Sequence, residues 1–318
     1  MMPAMPTPAP PTPSSGPMRV FDRTAHARHR ARAAAGFTEH DFLVRRAAAD
    51  IAERIGGINR DFPMALDLGC HRGALAAALT DDANAAAKVE MLVSADLAPA
   101  MLAHARGPRV AADEEALPFR DASLDLAVSI LSLHWVNDLP GALIQLRRAL
   151  KPDGLFMAAL FGGDTLTELR HSMAEAEIEC EGGLSPRVSP FADIRDMGSL
   201  MQRADFALPV VDADRVTVRY ADPMRLIAEL RGMGETNALA ERRRTPMRRS
   251  TLIRAAQIYR EKFGLPDGRV PATFEIVTAT GWAPHESQQK PLRPGSAEAR
   301  LAEALGTNER KAGEKAGG

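Results

Sequence analysis

A turn that carries an acid and two glycines joins an apolar run to an Ala- and Leu-rich helix near residue 70. The residues of this turn that are predicted to contact a ligand are Asp67, Gly69, Cys70, His71 and Gly73. Glycines in a strand-turn-helix unit let backbone amides approach a ligand beyond the carboxyl end of the strand. The turn therefore predicts a nucleotide-cofactor pocket, against the simpler alternative that the glycines only close a tight turn.

Two cofactor patterns compete for this turn. A dinucleotide fingerprint laid from Gly69 places His71 where the second glycine must admit a pyrophosphate, although Ala74 suits the third position. The pattern D-x-G-x-G-x-G is met at Asp67, Gly69 and Gly73 and also differs only at His71. The second pattern is the first motif of class I S-adenosylmethionine methyltransferases, whose cofactor has no pyrophosphate to admit. S-adenosylmethionine is therefore the predicted cofactor.

Acids also end the next two apolar runs. Asp96, followed by Leu97, ends the second run, and Asp113 with Glu114 follows the third. A carboxylate at the second strand end is placed to accept both ribose hydroxyls, and those at the third are placed to accept from an adenine amino group. The alternative for Asp96 is a helix cap. Ser129, in the fourth run, completes the predicted cofactor-binding set.

Residues 61–160 resemble the class I methyltransferase core. The resemblance rests on residues 113–119, 123–129, 133–140 and 146–156, with Asp153 where glycine is more usual. Strands separated by helical stretches predict an α/β fold with a doubly wound, mostly parallel seven-stranded sheet and a helical cap insertion. The predicted strands are 64–68, 91–95, 109–112, 124–131, 154–160, 206–211, 216–220 and 271–280. The predicted helices are 74–80, 98–105, 140–150, 165–180, 193–203, 223–231 and 252–263.

Five further segments are similar to the branch of this superfamily that assembles respiratory complex I. They are residues 21–23, 162–170, 185–191, 232–237 and 270–276 with 281–282. The resemblance implies that the protein binds S-adenosylmethionine and modifies an arginine on a peripheral-arm subunit of complex I. It implies hydroxylation, whereas the fold implies methylation. It also implies a location in the bacterial cytoplasm or, in a eukaryote, on the matrix side of the inner mitochondrial membrane.

Candidate groups for the acceptor side lie after the fourth and fifth runs. His134 is the predicted catalytic residue because it would face the reactive end of the cofactor and orient or deprotonate an acceptor. The alternative is that His134 caps a turn and Trp135 packs the pocket wall. An acceptor guanidinium needs carboxylates to hold it. The acids predicted for this role, which also fit a solvated helix face, are Asp164, Glu168, Glu175, Glu177 and Glu179.

Hydroxylation would need an iron, a flavin or another redox centre. His134 and Asp138 are four residues apart, but the sequence designates no third ligand, and no metal site is predicted. The residues themselves therefore favour methyl transfer. Two other functions stay open. One is a non-catalytic assembly chaperone, which His71 in the glycine turn favours, and the other is an O-methyltransferase acting on a small molecule or an acyl-carrier protein.

Composition restricts the remaining functions. The 318 residues are 45% hydrophobic and carry a formal net charge of -1, which argues against a general nucleic-acid binder. Cys70 and Cys180 require no disulfide framework, and Cys70 is expected to serve packing. No apolar run approaches the roughly 20 residues that span a bilayer. A basic cluster at residues 241–249 fits either partner contact or solvated surface.

The predicted domain organisation has five parts. Residues 1–17 form a disordered Pro-rich tail, 18–60 a helical collar and 61–161 the cofactor-binding core. Residues 162–283 hold the rest of the sheet with a cap insertion at about 222–265, and 284–318 form a flexible tail. The collar is expected to fold over the cofactor, or else to be a solvated basic helix.

Overall fold

The computed structural model describes residues 19–189 and 194–289 and contains a seven-stranded sheet. The strands are β1 (Phe62–Leu68), β2 (Val89–Asp96), β3 (Arg109–Ala111), β4 (Leu124–Ile130), β5 (Leu150–Phe161), β6 (Ala207–Tyr220) and β7 (Val270–Trp282). Their spatial order is β3-β2-β1-β4-β5-β7-β6. The pairs among β1 to β5 are parallel, and β7 is antiparallel to both β5 and β6. The predicted mostly parallel, doubly wound sheet is confirmed.

Helices cover both faces of this sheet. They are α1 (Arg23–Ala33), α2 (Phe42–Gly57), α3 (Ala74–Asp81), α4 (Ala83–Ala86), α5 (Pro99–Leu102), α6 (Leu139–Ala149), α7 (Thr167–Glu181), α8 (Ile194–Arg203), α9 (Pro223–Gly232) and α10 (Arg249–Phe263). Side chains alternate between the faces along β1. Ala65 belongs to the core that includes α2 and α3, whereas Leu66 and Leu68 belong to the core that includes α6. Burial on both faces explains the continuous apolar runs of the central strands.

One prediction about the far edge of the sheet was wrong. Residues 206–211 and 216–220 were expected to form separate strands, but 207–211 and 216–220 both lie in β6, which also pairs with β7 through the polar residues between them. Ion pairs hold this polar stretch against α2. Asp212 contacts Arg54 at 2.7 Å, and Asp214 contacts Arg46 at 2.7 Å. These ion pairs thus allow β6 to remain one strand through the residues where its apolar alternation is interrupted.

The helix predicted at 98–105 is also shorter than expected. α5 ends at Leu102, because the amides of His104 and Ala105 bond to carbonyls only three residues earlier. Such bonds tighten the chain into turns. The short helix α4 was not predicted, and Asp82 caps it by accepting from the amides of Asn84 and Ala85.

The collar, the core and the insertion lie within one compact unit that ends at Pro284. Residues 285–289 are the described part of a second unit. The disorder expected for residues 1–17 and most of the flexible tail expected for 284–318 lie outside the described residues. No helix among the described residues is both long and apolar enough to cross a membrane.

Candidate active site

The glycine turn lies at the carboxyl edge of the sheet, between β1 and α3. Gly69 and Gly73 have φ angles of 74° and 84°, which only glycine adopts without strain. A Cβ on Gly69 would lie 2.2 Å from the Cβ of Ser132, so the turn also needs glycine to pack against the residues that follow β4. Sequence reasoning missed Ser132, although its place just beyond a strand end was the available signal.

Asp67 is a buried acid at the end of β1. It is 1% exposed, and neither carboxylate oxygen has a hydrogen-bond partner among the described residues. Burial raises the pKa of Asp67 to about 8, the Asp96 carboxylate adds to the rise and the Arg30 guanidinium opposes it. An unsatisfied carboxylate in this place is suited to a cationic ligand group.

Asp96 ends β2 and accepts four hydrogen bonds. The backbone amides of His71 and Ala98 donate to it at 2.9 and 2.8 Å. The Arg30 guanidinium donates through Nε at 3.3 Å and through Nη2. Arg30 is itself only 1% exposed, so the ion pair is buried. The carboxylate predicted to accept ribose hydroxyls therefore holds a guanidinium group of the same chain.

The acids after β3 are arranged in the same way. Arg23 donates to Asp113 at 2.7 Å and also bonds to Glu114. Glu114 is fully buried and accepts from the Ser132 hydroxyl at 2.7 Å. The structure thus brings the predicted acids together at one edge, where α1 supplies a guanidinium group to two of the three strand ends.

The charged face of α1 covers this edge. Arg23, His26 and Arg30 follow one another at the spacing i, i+3 and i+7, which places them on one side of a helix. The His26 ring stacks on Trp135 with centroids 4.8 Å apart, and burial holds the pKa of His26 well below its ordinary value. The solvated alternative for the collar is therefore wrong for this face. The i, i+3, i+7 spacing was the signal in the sequence.

His71 connects the glycine turn to the collar. Its φ angle is 51°, its Nε2 lies 2.9 Å from the carbonyl of Ile130, and its ring stacks on Phe37 at 5.2 Å. Burial, with the Arg30 charge nearby, holds the pKa of His71 well below its ordinary value, so the ring is neutral. His71 thus supports the turn through packing and through its amide bond to Asp96.

The remaining predicted cofactor residues lie close to the same edge. Cys70 is buried against Leu102 and Ala105, and burial raises the pKa of its thiol, which favours the packing role. Leu97 is half-buried after β2, and Ser129 is buried within β4 with a hydroxyl that has no partner among the described residues.

The 3-10 turn Leu133–Trp135 follows β4 and carries the predicted catalytic residue. The Nε2 atom of His134 lies 3.3 Å from Oε2 of Glu235, and Trp135 Nε1 donates to the same oxygen at 2.9 Å. The His134 ring also packs against Phe161 at 4.9 Å. Sequence reasoning did not assign a role to Glu235, although it lies in the segment 232–237 that carried the narrower resemblance.

Comparison with known proteins identifies the family. A methyltransferase domain model matches residues 66–158. The chain is 41% identical to the mitochondrial arginine-hydroxylase NDUFAF5 of Danio rerio, over 90% of this chain and 89% of that protein. It is 46% identical to human NDUFAF5, over 82% of this chain and 75% of that protein. The chain belongs to the NDUFAF5 family. The resemblance to the complex I assembly-factor branch is confirmed at this level.

More distant matches agree on the superfamily and the fold of this NDUFAF5 family member. A malonyl-[acyl-carrier protein] O-methyltransferase of Halorhodospira halophila is 37% identical over 84% of this chain and 90% of that protein. The crystal structure of a Bacillus halodurans protein shares the fold, with a TM-score of 0.52 at 16% identity, over 74% of this chain and 99% of that one. The chain is therefore an enzyme of the S-adenosylmethionine-dependent methyltransferase superfamily.

The acids predicted to dock a guanidinium are already paired in this NDUFAF5 family member. Their partners within the chain are Arg215 for Asp164, Thr273 for Glu168, Lys262 for Glu175, Arg187 for Glu177 and Arg254 for Glu179. These contacts connect α7 and the residue Asp164 before it to neighbouring elements, so an acceptor guanidinium would have to displace an internal partner to dock on them. Sequence does not reveal the partners because most of them are more than fifty residues away.

Two further observations bear on the predictions for this chain. In the basic cluster, Arg242 pairs with Asp22 at 2.9 Å and Arg243 pairs with Glu181, so part of the cluster fixes the collar and α7 in place. Within residues 19–189 and 194–289, no group of three or more His, Cys, Asp or Glu side chains is arranged to hold a metal ion.

Proposed function

We propose that the chain binds S-adenosylmethionine at the carboxyl edge of its sheet and modifies an arginine side chain of a complex I peripheral-arm subunit. The observation that carries the cofactor assignment is Asp67, which is buried beside the glycine turn and has no donor among the described residues. S-adenosylmethionine carries a sulfonium and an ammonium group, so it is complementary to such an acid. Relatives named arginine-hydroxylases, 41–46% identical over most of the chain, support the substrate class.

The proposed cofactor contacts follow the strand ends. Asp96 accepts the ribose hydroxyls, Asp113 and Glu114 accept from the adenine amino group, and the backbone at Gly69 lies close to the methionine part. Among the described residues, the carboxylates of Asp96, Asp113 and Glu114 pair with Arg23 and Arg30 at this edge, and Asp67 adds a buried carboxyl group without a cation, which a cationic ligand would ionise. When bound, S-adenosylmethionine supplies an electrophilic sulfonium centre.

Cofactor binding requires the collar to rearrange. Arg30 and Arg23 now make the hydrogen bonds that ribose and adenine would make. These guanidinium groups have to release Asp96 and Asp113 before the cofactor can contact them. α1 is therefore proposed to lift away or shift along the edge as the cofactor enters.

On the acceptor side, His134 is proposed to orient or deprotonate the acceptor. Its contact with Glu235 fixes the ring, and the buried Trp135 and Phe161 beside it exclude water. Positioning of the reactants and exclusion of water are the main contributions that this fold makes to group transfer.

The names of the relatives favour hydroxylation of arginine over methylation. Hydroxylation converts a C–H bond into C–OH, so it would require an oxygen donor such as O2 and a redox partner in addition to this chain, because the sulfonium centre supplies only a methyl group. The proposed place of action is where complex I subunits are assembled, in the bacterial cytoplasm or the mitochondrial matrix. A second candidate is O-methylation of an acyl-carrier ester or a small acid. It is favoured by the malonyl-[acyl-carrier protein] relative, which is 37% identical over 84% of this chain.

Calorimetric titration with S-adenosylmethionine tests the cofactor assignment. Asp96→Asn removes a charged acceptor, and we expect it to weaken binding about 10- to 100-fold. Asp121→Asn is the matched control, because Asp121 forms an exposed ion pair with Arg148 before β4, at the opposite edge of the sheet. If the wild-type protein does not bind S-adenosylmethionine, the catalytic proposal fails and the non-catalytic chaperone takes its place.

A further inference from the structure

A small cavity opens beside the proposed acceptor side of the site. Its walls are mainly aromatic and aliphatic, with a few polar groups. The lining includes Trp135, Phe161, Phe274, Leu230, Glu235 and Arg187. The cavity has about 50 Å³ of room, enough for a group of a few heavy atoms, because one water needs ~10–15 Å³ of such space.

Glu235 is the acid of this cavity. Its side chain is only 9% exposed, and both of its described donors, Trp135 Nε1 and His134 Nε2, reach the same oxygen, Oε2. The other oxygen, Oε1, has no hydrogen bond among the described residues, and no Arg or Lys there forms an ion pair with this carboxylate. Glu235 therefore offers a nearly buried negative charge with one unused oxygen.

The chain fixes Glu235 in this position through close backbone packing. A Cβ on Gly232 would lie 2.1 Å from the His40 ring, and a Cβ on Gly234 would lie 3.4 Å from the Cα of Arg30. The Glu235 amide also donates to the carbonyl of Leu230 at 2.9 Å. The segment that distinguishes this chain from ordinary methyltransferases thus places one acid against the collar and the cavity.

We infer that Glu235 and the aromatic walls of this cavity bind the guanidinium group of the arginine that the enzyme modifies. This inference rests on the proposed function and names a binding site for its substrate. A guanidinium group is planar and cationic, so it combines hydrogen bonds to a carboxylate with stacking on aromatic faces. Glu235 supplies the first contact, and Trp135, Phe161 and Phe274 supply the second.

The charges of the cavity favour a cation over an acidic substrate. Arg187 also lines the cavity, but its guanidinium pairs with Glu177, whose carboxylate also accepts from Ser185. The positive charge of Arg187 is thereby neutralised locally. Glu235 contacts the neutral indole and the His134 ring directly, and the Arg30 guanidinium, which pairs with Asp96, acts on its charge from farther away. A small acid would therefore find no unpaired cation among the described lining residues.

Glu235→Gln tests this assignment with little change in shape. The amide keeps an acceptor oxygen for Trp135 and loses the charge that would hold a guanidinium. The matched control is Glu241→Gln, because Glu241 is exposed and lies in the segment that follows. Each variant would be expressed in cells lacking the protein, and peptide mass spectrometry would quantify modified arginine on complex I subunits. S-adenosylmethionine binding would be measured on each purified variant.

We expect Glu235→Gln to bind S-adenosylmethionine within about twofold of the wild type and to lower arginine modification about 10- to 100-fold. Glu241→Gln should match the wild type, and Glu235→Asp should restore part of the activity. A second measurement titrates the purified protein with N-acetylarginine amide and with its neutral analogue N-acetylcitrulline amide. Wild type should prefer the arginine compound, and Glu235→Gln should lose that preference.

Two outcomes would overturn the inference, and they differ in what they leave standing. Wild-type levels of modified arginine in Glu235→Gln would refute the docking role and leave the proposed function intact. No modified arginine even with the wild-type protein, despite normal S-adenosylmethionine binding, would refute the arginine function and the inference together.

Discussion

At the scale of single residues, Asp67 is the group whose protonation state is expected to depend most on a bound ligand. Both of its oxygens are buried and have no donor in the part of the chain that the structure describes, and its pKa is raised to about 8, chiefly by burial. At neutral pH the carboxyl therefore carries a proton in the ligand-free protein. A cationic cofactor would favour the ionised form and lower the pKa of Asp67, so binding should expel that proton.

The affinity for S-adenosylmethionine should therefore depend on pH. Below about pH 8, binding must remove a proton, so affinity should rise by up to about tenfold per pH unit and then level off. Asp67→Asn should flatten this dependence. Calorimetry in two buffers of different ionisation enthalpy measures the released proton directly. An unchanged pH profile in Asp67→Asn would show that another group titrates.

The same group should affect folding stability in the absence of a cofactor. Because the folded-state pKa of Asp67 is above its ordinary value of 3.8, the unfolded chain loses this proton first as the pH rises. Stability should fall between about pH 4 and about pH 8 and change little above. Asp67→Asn should gain about 2–5 kcal/mol relative to the wild type at pH 8, and much less at pH 4. Thermal unfolding across this range checks it, and an equal gain at both pH values would contradict it.

The sequence predicted some site residues better than others. Asp67, Asp96 and Asp113 could be found because each follows an apolar run, and the ends of parallel strands meet at one edge of a sheet. Glu235 and Ser132 could not be assigned a role, because their position depends on how distant segments pack. Arg30 and Asp96 are 66 residues apart in the chain, and no local pattern indicates that they pair.

At the scale of elements, α1 is the part that decides access to the site. It contributes Arg23 and Arg30 to the acids of the edge and stacks His26 on Trp135. If the cofactor replaces these guanidinium groups, the stacked pair must separate or shift as well. Trp135 therefore reports on the position of α1.

Tryptophan fluorescence tests the movement of α1. The chain has two tryptophans, so Trp282→Phe leaves Trp135 as the sole reporter. We expect S-adenosylmethionine to change its emission in a saturable way, with the same midpoint as calorimetric binding. The change should be several-fold smaller when His26→Leu is added, because the stacked imidazole is then absent. Emission that stays constant while the cofactor binds would mean that α1 keeps its place.

The contact between α1 and the segment after α9 should contribute measurably to folding stability. Gly234 has a φ angle of 82° and lies against Arg30, so Gly234→Ala should lower the free energy of unfolding by about 1–2 kcal/mol. Protease cleavage near α1 should become faster. Gly57→Ala is the control, because a Cβ at Gly57, the last residue of α2, would meet no atom within 4 Å. Equal free energies of unfolding of the two variants would show that this contact does not contribute to folding stability.

The elements themselves were largely predictable, since hydrophobic periodicity and glycine turns are local signals. The central strands agree with their predicted ranges to within a few residues. β6 was predicted as two strands because Asp212 and Asp214 break the alternation, and their ion pairs with α2 are not visible locally. The same limit applies to the acids of α7, which look like a solvated face but bind neighbouring elements.

At the scale of the whole molecule, the sheet order places the glycine turn, the acids and His134 along one edge, and the collar and the insertion meet there. The topology followed from the alternation of strands and helices. The way in which the collar covers this edge could not be predicted from the sequence. It depends on contacts between the collar and the distant insertion, such as the ion pair of Arg242 with Asp22.

The most direct test of the proposed function is peptide mass spectrometry of complex I peripheral-arm subunits. The samples would come from cells that lack the protein and from the same cells complemented with wild type, Asp96→Asn or Asp121→Asn. We predict an arginine that gains one oxygen with the wild type and with Asp121→Asn, and much less with Asp96→Asn. A gain of a methyl group would replace hydroxylation by methylation, and the absence of any modified arginine would contradict the proposed function.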